Sequence, residues 1–197
     1  MKIIGITGGI GSGKSKVLSY LEETYKAPAY EADKVAHKLQ EPGQTCYKKI
    51  VASFGEEVLK EGGDVDRKKL GEIVFADAKR RSVLNEIVHP AVKCYIRERI
   101  AEEKEKGSPI FFVEAALLIE DHYDEICDEL WYIYAKEDVR KERLRTSRGY
   151  SEEKIDQIFT SQKSVDEFRE KCDREFDNSG FFKDTCILLR KAVESIC

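Results

Sequence analysis

The sequence has no C-x-x-C pair, no apolar run long enough to cross a membrane, no large surplus of one charge, and no internal repeat or low-complexity segment. Each absence excludes a class. The cysteines, Cys46, Cys94, Cys127, Cys172, Cys186 and Cys197, stand far apart. Neither a disulfide framework nor a zinc site is therefore expected, and buried reduced thiols in a cytoplasmic protein fit this pattern better. Ile110-Phe111-Phe112-Val113, like every other apolar run in the sequence, is far short of the roughly 20 residues of a membrane span. The apolar N-terminal stretch is broken by glycines and Lys14, unlike an export signal. A net charge of −4 over 197 residues gives no general attraction to nucleic acid or to acidic membrane. Neither is expected as a partner, and any anion site has to be local. With 41% hydrophobic and 37% charged residues, the chain suits one sizeable core with a helix-rich surface and room for a smaller inserted subdomain.

What is present begins at once. Lys2-Ile3-Ile4-Gly5-Ile6-Thr7 reads as a short buried strand, followed by Gly8-Gly9-Ile10-Gly11-Ser12-Gly13-Lys14-Ser15. That is G-x-x-x-x-G-K-[ST], the phosphate-binding loop. Its glycines let successive amides turn around a phosphate chain, Lys14 supplies a charge for the β- and γ-phosphates, and the Ser15 hydroxyl can ligate Mg²⁺. A helix from Lys14 to about Tyr25, with Val17, Leu18 and Leu21 at helical spacing, then aims its positive end at the same anion.

Pro28-Ala29-Tyr30 reads as a second short strand that ends at Glu31-Ala32-Asp33. Ligands bind at that edge of open α/β sheets, so Asp33 could take the proton of an attacking hydroxyl. It is equally placed to cap the helical run Lys34–Leu39. Spacing leaves both roles open, and they are compatible. Pro42-Gly43 ends that run, Tyr47–Phe54 resumes a helix, and Asp66 can cap another that carries Leu70, Ile73 and Val74. Val83, Leu84, Ile87 and Val88 continue the helical pattern to His89-Pro90, where proline should kink or restart the helix, and a further helix runs from about Ala91 to Lys104. Residues 34–106 thus form an all-helical block, a natural cover over the sheet's carboxyl edge and hence a substrate subdomain. Its cations, among them Lys34, Lys38, Lys68, Lys69, Arg80, Arg81 and Arg97, read mainly as solvated helix faces, and His89 as a turn residue.

Strands return at Pro109–Glu114 and Leu130–Tyr134. Glu114 stands where many phosphate-loop proteins place a second acid near Mg²⁺. Lys136-Glu137-Asp138 opens a helix carrying Arg140, Arg143, Arg145 and Arg148 before Gly149, and Ser151-Glu152-Glu153 caps another that reaches about Gln162. A helix, a glycine break and a second helix can act as a lid, and arginine suits it because its planar fork grips phosphoryl oxygens. Glu175–Gly180 reads as a last strand and turn, and Phe181–Ile196 as a closing amphipathic helix. Strands alternating with helices predict a doubly wound, mainly parallel α/β sheet.

Together these motifs resemble the dephospho-coenzyme A kinase family over nearly the whole chain. Gly5 through Ser15, Glu31-Ala32-Asp33, His89-Pro90, Leu117-Leu118 with Glu120, Arg143-Leu144 with Arg148, Gln162, and Asp177-Asn178-Ser179-Gly180 fall in the family's order. Departures are Glu31 for aspartate, Lys16 for threonine, Glu114-Ala115-Ala116 for Asp-x-Pro, and Phe168 for a common arginine. The resemblance implies a three-layer phosphate-loop kinase fold with helices on both faces of the sheet. Its core would be residues 1–33, 107–135 and 172–197, with a helical substrate subdomain at 34–106 and a lid at 136–165. It implies ATP as donor, Mg²⁺ as cofactor, and the ribose 3′-hydroxyl of dephospho-coenzyme A as acceptor, in a cytoplasmic monomer. Gly8, Gly9, Ile10, Gly11, Ser12, Gly13, Lys14, Ser15 and Lys16 would hold the nucleotide phosphates, with Asn178 and Gly180 near the adenine. Ser15 would hold the metal, and Asp33, Lys14, Arg143 and Arg148 would carry the chemistry. The competing expectations are another small-molecule kinase, such as one acting on nucleoside monophosphates, and a nucleotide-dependent switch.

Overall fold

A computed structural model describes residues 1–196; Cys197 lies outside the described residues. Five strands, β1 (Lys2–Thr7), β2 (Ala29–Glu31), β3 (Ile110–Glu114), β4 (Glu129–Tyr134) and β5 (Arg174–Asp177), form one sheet in the order β2-β3-β1-β4-β5. Every pairing is parallel. The three central strands carry nearly unbroken apolar runs, and Ile3, Ile4, Ile6, Ile110 through Val113, and Leu130 through Ile133 are all buried. Such runs belong to strands covered on both faces, where alternation would leave polar groups inside.

One face is covered by α1 (Lys14–Tyr25) and α9 (Phe182–Glu194), and on the other Phe168 of the helix Val165–Lys171 stacks on Tyr132 at 4.7 Å, centroid to centroid. Val17, Leu18 and Leu21 of α1 and Leu189, Ala192 and Val193 of α9 share one core cluster with Ile4, Ile6, Phe112, Trp131, Ile133 and Phe176. Trp131 packs at 4.9 Å, centroid to centroid, on Phe176, and its indole N–H is satisfied by Glu129 at 3.0 Å. After β4 come α6 (Glu137–Arg148), α7 (Glu152–Ser161) and α8 (Val165–Lys171). The short α8, unassigned in the sequence reading, starts with a capping box between Ser164 and Glu167.

The chain divides into two compact units, one built from Met1–Glu31 and the chain from Glu102 onward, the other from Ala32–Ala101. The second unit is helical, with α2 (Ala32–Leu39), α3 (Thr45–Phe54), α4 (Arg67–Ala76) and most of α5 (Ala78–Glu105). Asp66 caps α4 as its position predicts, accepting the amides of Lys68 and Lys69 at 3.1 and 3.2 Å. Arg80 is tied into this unit, donating to the Ser53 carbonyl at 2.8 Å with its guanidinium 5.5 Å from the Phe54 ring centre.

Two local expectations are corrected here. Of the kink or restart expected at Pro90, the restart is absent, because α5 runs unbroken through it. The buried stripe Val88, Val92, Ile96 and Ile100 continues across the proline at a spacing of four, so packing outweighs the hydrogen bond that proline cannot donate. Asp33 is not a helix cap, since α2 begins at Ala32 and places Asp33 inside its first turn. A carboxylate there is favoured by the helix dipole rather than by capping.

Candidate active site at the phosphate loop

The central strand β1 has β3 on one side and β4 on the other, with Ile6 opposite Glu114 and Thr7 opposite Tyr132. The chain leaving β1 therefore emerges where the strand order reverses, the position at which open α/β sheets bind ligands. Residues 8–13 occupy it. Gly8 has φ 149° and any Cβ there would overlap the Ile133 carbonyl, while Gly13 has φ 95° and a Cβ would overlap the Asn178 amide. Glycine is thus required at both positions on steric and conformational grounds.

The loop is held by its carbonyls. Lys14 Nζ donates to the oxygens of Gly8 at 2.9 Å and Gly9 at 3.4 Å. Arg140 Nε donates to Ile10 O at 2.8 Å. Arg143 Nη1 donates to Gly11 O and Ser12 O, both at 3.2 Å, and Asn178 Nδ2 adds 2.7 Å to Ser12 O. Five successive carbonyls, Gly8 to Ser12, are therefore turned toward donors, most of them cationic. The amides opening α1 have no acceptor within the helix, and together with the helix dipole they make an anion seat.

Asn178 is 2% exposed and fully committed. Its amide oxygen accepts from Thr185, its N–H donates to Tyr134 O at 2.8 Å, and its own carbonyl accepts from Arg143 Nη2 at 2.7 Å. This side chain braces the loop from β5, while Gly180 lies exposed in the turn before α9. Lys16 points away from the loop, its ammonium 4.2 Å from the Phe182 ring centre.

The arginine cluster sorts into roles that spacing could not assign. Arg140 and Arg143, three residues apart on one face of α6, turn to the loop. Arg145 pairs with Glu142 and with Glu152 across the Gly149 turn, tying α6 to α7. Arg148 is exposed, its guanidinium 5.9 Å from the Tyr150 ring centre. Arg140 was not singled out among the four in the sequence reading, and the signal that could have found it is its i, i+3 relation to Arg143. Burial lowers the Arg140 pKa, yet a guanidinium stays charged.

Glu114, 5% exposed at the end of β3, lies 3.8 Å from Lys14 Nζ and opposite Glu31 of β2 in register. Hard oxygen donors of this type, with the exposed Ser15 hydroxyl at the start of α1, fit Mg²⁺, which keeps several waters and takes most other ligands from phosphate. Among the described residues no group of three or more His, Cys, Asp or Glu could hold a metal alone. Asp33 is exposed in the helical unit. That unit also holds a cleft of about 630 Å³ lined by Gln40, Glu41, Lys60, Asp66, Arg67 and Lys68, among others.

Compared with known proteins, residues 2–184 match the dephospho-CoA kinase (CoaE) family. A dephospho-CoA kinase of Symbiobacterium thermophilum is 38% identical over 197 residues, covering 100% of this chain and 82% of that protein. The solved dephospho-CoA kinase of Campylobacter jejuni superposes with a TM-score of 0.74 at 27% identity, covering 100% of this chain and 98% of that one. A shikimate kinase of Acinetobacter baumannii, at TM-score 0.61 and 13% identity over 99% of this chain and 94% of that one, shares the fold alone.

Proposed function

Because the chain belongs to the dephospho-CoA kinase family, we propose that it transfers the γ-phosphoryl group of ATP to the ribose 3′-hydroxyl of dephospho-coenzyme A. The products are coenzyme A and ADP, the last step of coenzyme A biosynthesis. The observation that carries this reading is the phosphate loop itself, with its carbonyls from Gly8 to Ser12 drawn onto donors. Phosphoryl transfer asks a protein mainly for alignment and charge. A loop whose oxygens were free to turn inward would repel the anion it has to hold.

In this reading the loop from Gly8 to Lys16 seats the β- and γ-phosphates. Lys14 exchanges the neutral carbonyls of Gly8 and Gly9 for charged phosphate oxygens. Mg²⁺ would be held by Ser15, with Glu114 beside Lys14 as the nearby acid, and when bound it neutralises charge on the β- and γ-oxygens. Asp33 aligns the attacking hydroxyl and takes its proton. Arg143 keeps Gly11 and Ser12 oriented and adds positive charge at the loop, while Arg148 is left to approach the γ-phosphate as the lid closes. Asn178 acts through the loop, and the exposed Gly180 turn frames the adenine. In the helical unit, Lys60, Arg67 and Lys68 at the cleft offer cations to the diphosphate of the acceptor.

No helix among the described residues is long and apolar enough to cross a membrane, and we take the protein to act in the cytoplasm as a monomer. Sedimentation bears on the second point, since Phe181, Ile187 and Leu188 around α9 are exposed and are where self-association would register. The deciding experiment is ADP release with ATP and Mg²⁺, alone, with dephospho-coenzyme A, and with a panel of nucleoside monophosphates. Stimulation by dephospho-coenzyme A, with coenzyme A as product, is expected; preference for a monophosphate would overturn the acceptor assignment.

A further inference from the structure

We propose that Arg140 is a positioning residue for phosphoryl transfer, acting with Gln162 to fix the two peptides that flank Ile10 and so the outer turn of the phosphate loop. The proposal rests on reading that loop as the ATP site. Arg140 Nε donates to Ile10 O at 2.8 Å, and Arg140 Nη2 donates to Gln162 Oε1 at 2.6 Å. The same Gln162 oxygen accepts the Ile10 N–H at 3.2 Å. Both backbone groups of one loop residue are thus bound to the lid side of the fold, one directly and one through a shared acceptor. The Ile10 N–H belongs to the Gly9–Ile10 peptide and its carbonyl to the Ile10–Gly11 peptide, so two successive peptide planes are each pinned at one atom, and rotation of the second would carry the Gly11 amide with it.

The seat is built for a guanidinium. Its planar group lies 4.2 Å from the Phe159 ring centre. On the loop side it occupies the space that a Cβ on Gly9 would take, and the Arg140 backbone packs against Gly11. Phe159 and Gln162 belong to the end of α7 and the residue that follows it, so the second lid helix reaches the loop through this bridge. The other ties between α6 and α7, Lys141 to Asp156 and Arg145 to Glu152, are between largely exposed side chains and contribute little rigidity. Lysine cannot replace the fork, because a single ammonium does not reproduce two donors at fixed separation. Gln162 is neutral, which lets it accept from both donors without adding a negative charge beside a triphosphate.

The test uses the full chain with Arg140→Ala, Arg140→Lys, Gln162→Ala and the Arg140→Ala/Gln162→Ala pair. Readouts are kcat, KM for ATP, KM for dephospho-coenzyme A, Tm, and equilibrium binding of a fluorescent ATP analogue without acceptor. Loss of a charge-assisted hydrogen bond predicts KM for ATP and analogue Kd raised about tenfold in both alanine variants. KM for dephospho-coenzyme A should stay within about twofold, the double variant should be no worse than either single, and Arg140→Lys should recover less than half of the loss, because the two residues act through one bridge. A merely structural role would lower Tm and apparent kcat and leave KM for ATP unchanged. That result, or additive effects, or full rescue by lysine, would overturn the proposal. If Arg140→Ala does not fold, the Gln162→Ala variant decides alone by the same KM criterion. Analogue binding separates the two readings. Wild-type protein that binds nucleotide but does not phosphorylate dephospho-coenzyme A removes the acceptor assignment, whereas unchanged nucleotide binding in the variants removes Arg140.

Discussion

At the scale of single residues, Asp33 carries the most specific consequence. It lies in the first turn of α2 with its carboxylate exposed, so replacing it removes neither a cap nor a buried partner. Asp33→Asn should lower turnover by roughly 10²–10⁴, the range for a general-base step, with Tm and ATP binding unchanged. Rapid-mixing measurement of ADP release checks this, and near-wild-type turnover with ATP bound would make Asp33 an aligning group at most. The motif spacing made Asp33, Lys14 and Ser15 legible as candidates before any coordinates, because loop and strand-end chemistry depends on near neighbours in the chain. The partners of Asn178 were not legible. Ser12 is 166 residues away and Arg143 is 35 away, and no local pattern encodes a hydrogen bond across that separation. A sequence that announces N-S-G after a strand suggests a turn at the nucleotide; the fold turns the side chain inward to hold the loop.

Among the elements, α5 is where local rules and tertiary packing part most clearly. An interior proline in a soluble helix costs about 3 kcal/mol through the missing donor and the ring clash, which is why a kink or a restart at Pro90 is the natural expectation. The helix persists because its apolar residues at 88, 92, 96 and 100 are all buried and only a continuous helix keeps them in line. Pro90 itself is exposed. Pro90→Ala should therefore raise stability by about 1–3 kcal/mol, read as an increased urea midpoint at unchanged m-value. A fall in stability would mean that the helix depends on the proline's local geometry. Helices α6 and α7 show the reverse case. The ends of α6 and α7 were readable from Gly149 and Ser151, since Gly149 adopts φ 61° as the C-cap and Ser151 accepts the Lys154 amide. Which arginine faces the loop was not readable, because one α6 face serves the loop and another serves Glu142 and Glu152, and helical spacing alone gives no reference direction.

The molecule as a whole should lose stability in alkaline solution for an identifiable reason. Burial pushes the Cys127 thiol up to about 12, with Asp128 and Asp124 adding to the shift, and burial beside Asp173 pushes Cys172 to about 12 as well. An unfolded cysteine titrates near 8.5. Between that value and about 12 the unfolded chain has released these protons while the folded chain retains them, so the stabilising contribution is full below about pH 8.5 and is lost as pH rises toward 12. Urea midpoints measured from pH 8 to 11 should fall, and the slope should flatten in Cys127→Ala; an identical slope would show that other groups dominate. The same burial predicts that these thiols stay protonated and unreactive near neutrality, whereas Cys94, expected buried from the spacing, is exposed. Bound nucleotide should shift the whole curve upward, because a ligand that binds only the folded state adds RT ln(1 + [L]/Kd).

The sequence alone determined the phosphate loop, the strands that flank it and the class of fold. These follow from contiguous patterns: Gly8 to Ser15 over eight positions, and the apolar runs at 2–7, 110–114 and 129–134 that only a sheet covered on both faces can absorb. The tertiary structure alone decided that β1 lies between β3 and β4, that α5 is one helix through Pro90, and that Arg140, Arg143, Asn178 and Gln162 converge on the loop. Strand order, helix continuity against a local breaker, and the direction of a long side chain are each set by contacts between distant segments. Those contacts exist only once the hydrophobic core has fixed where the segments lie.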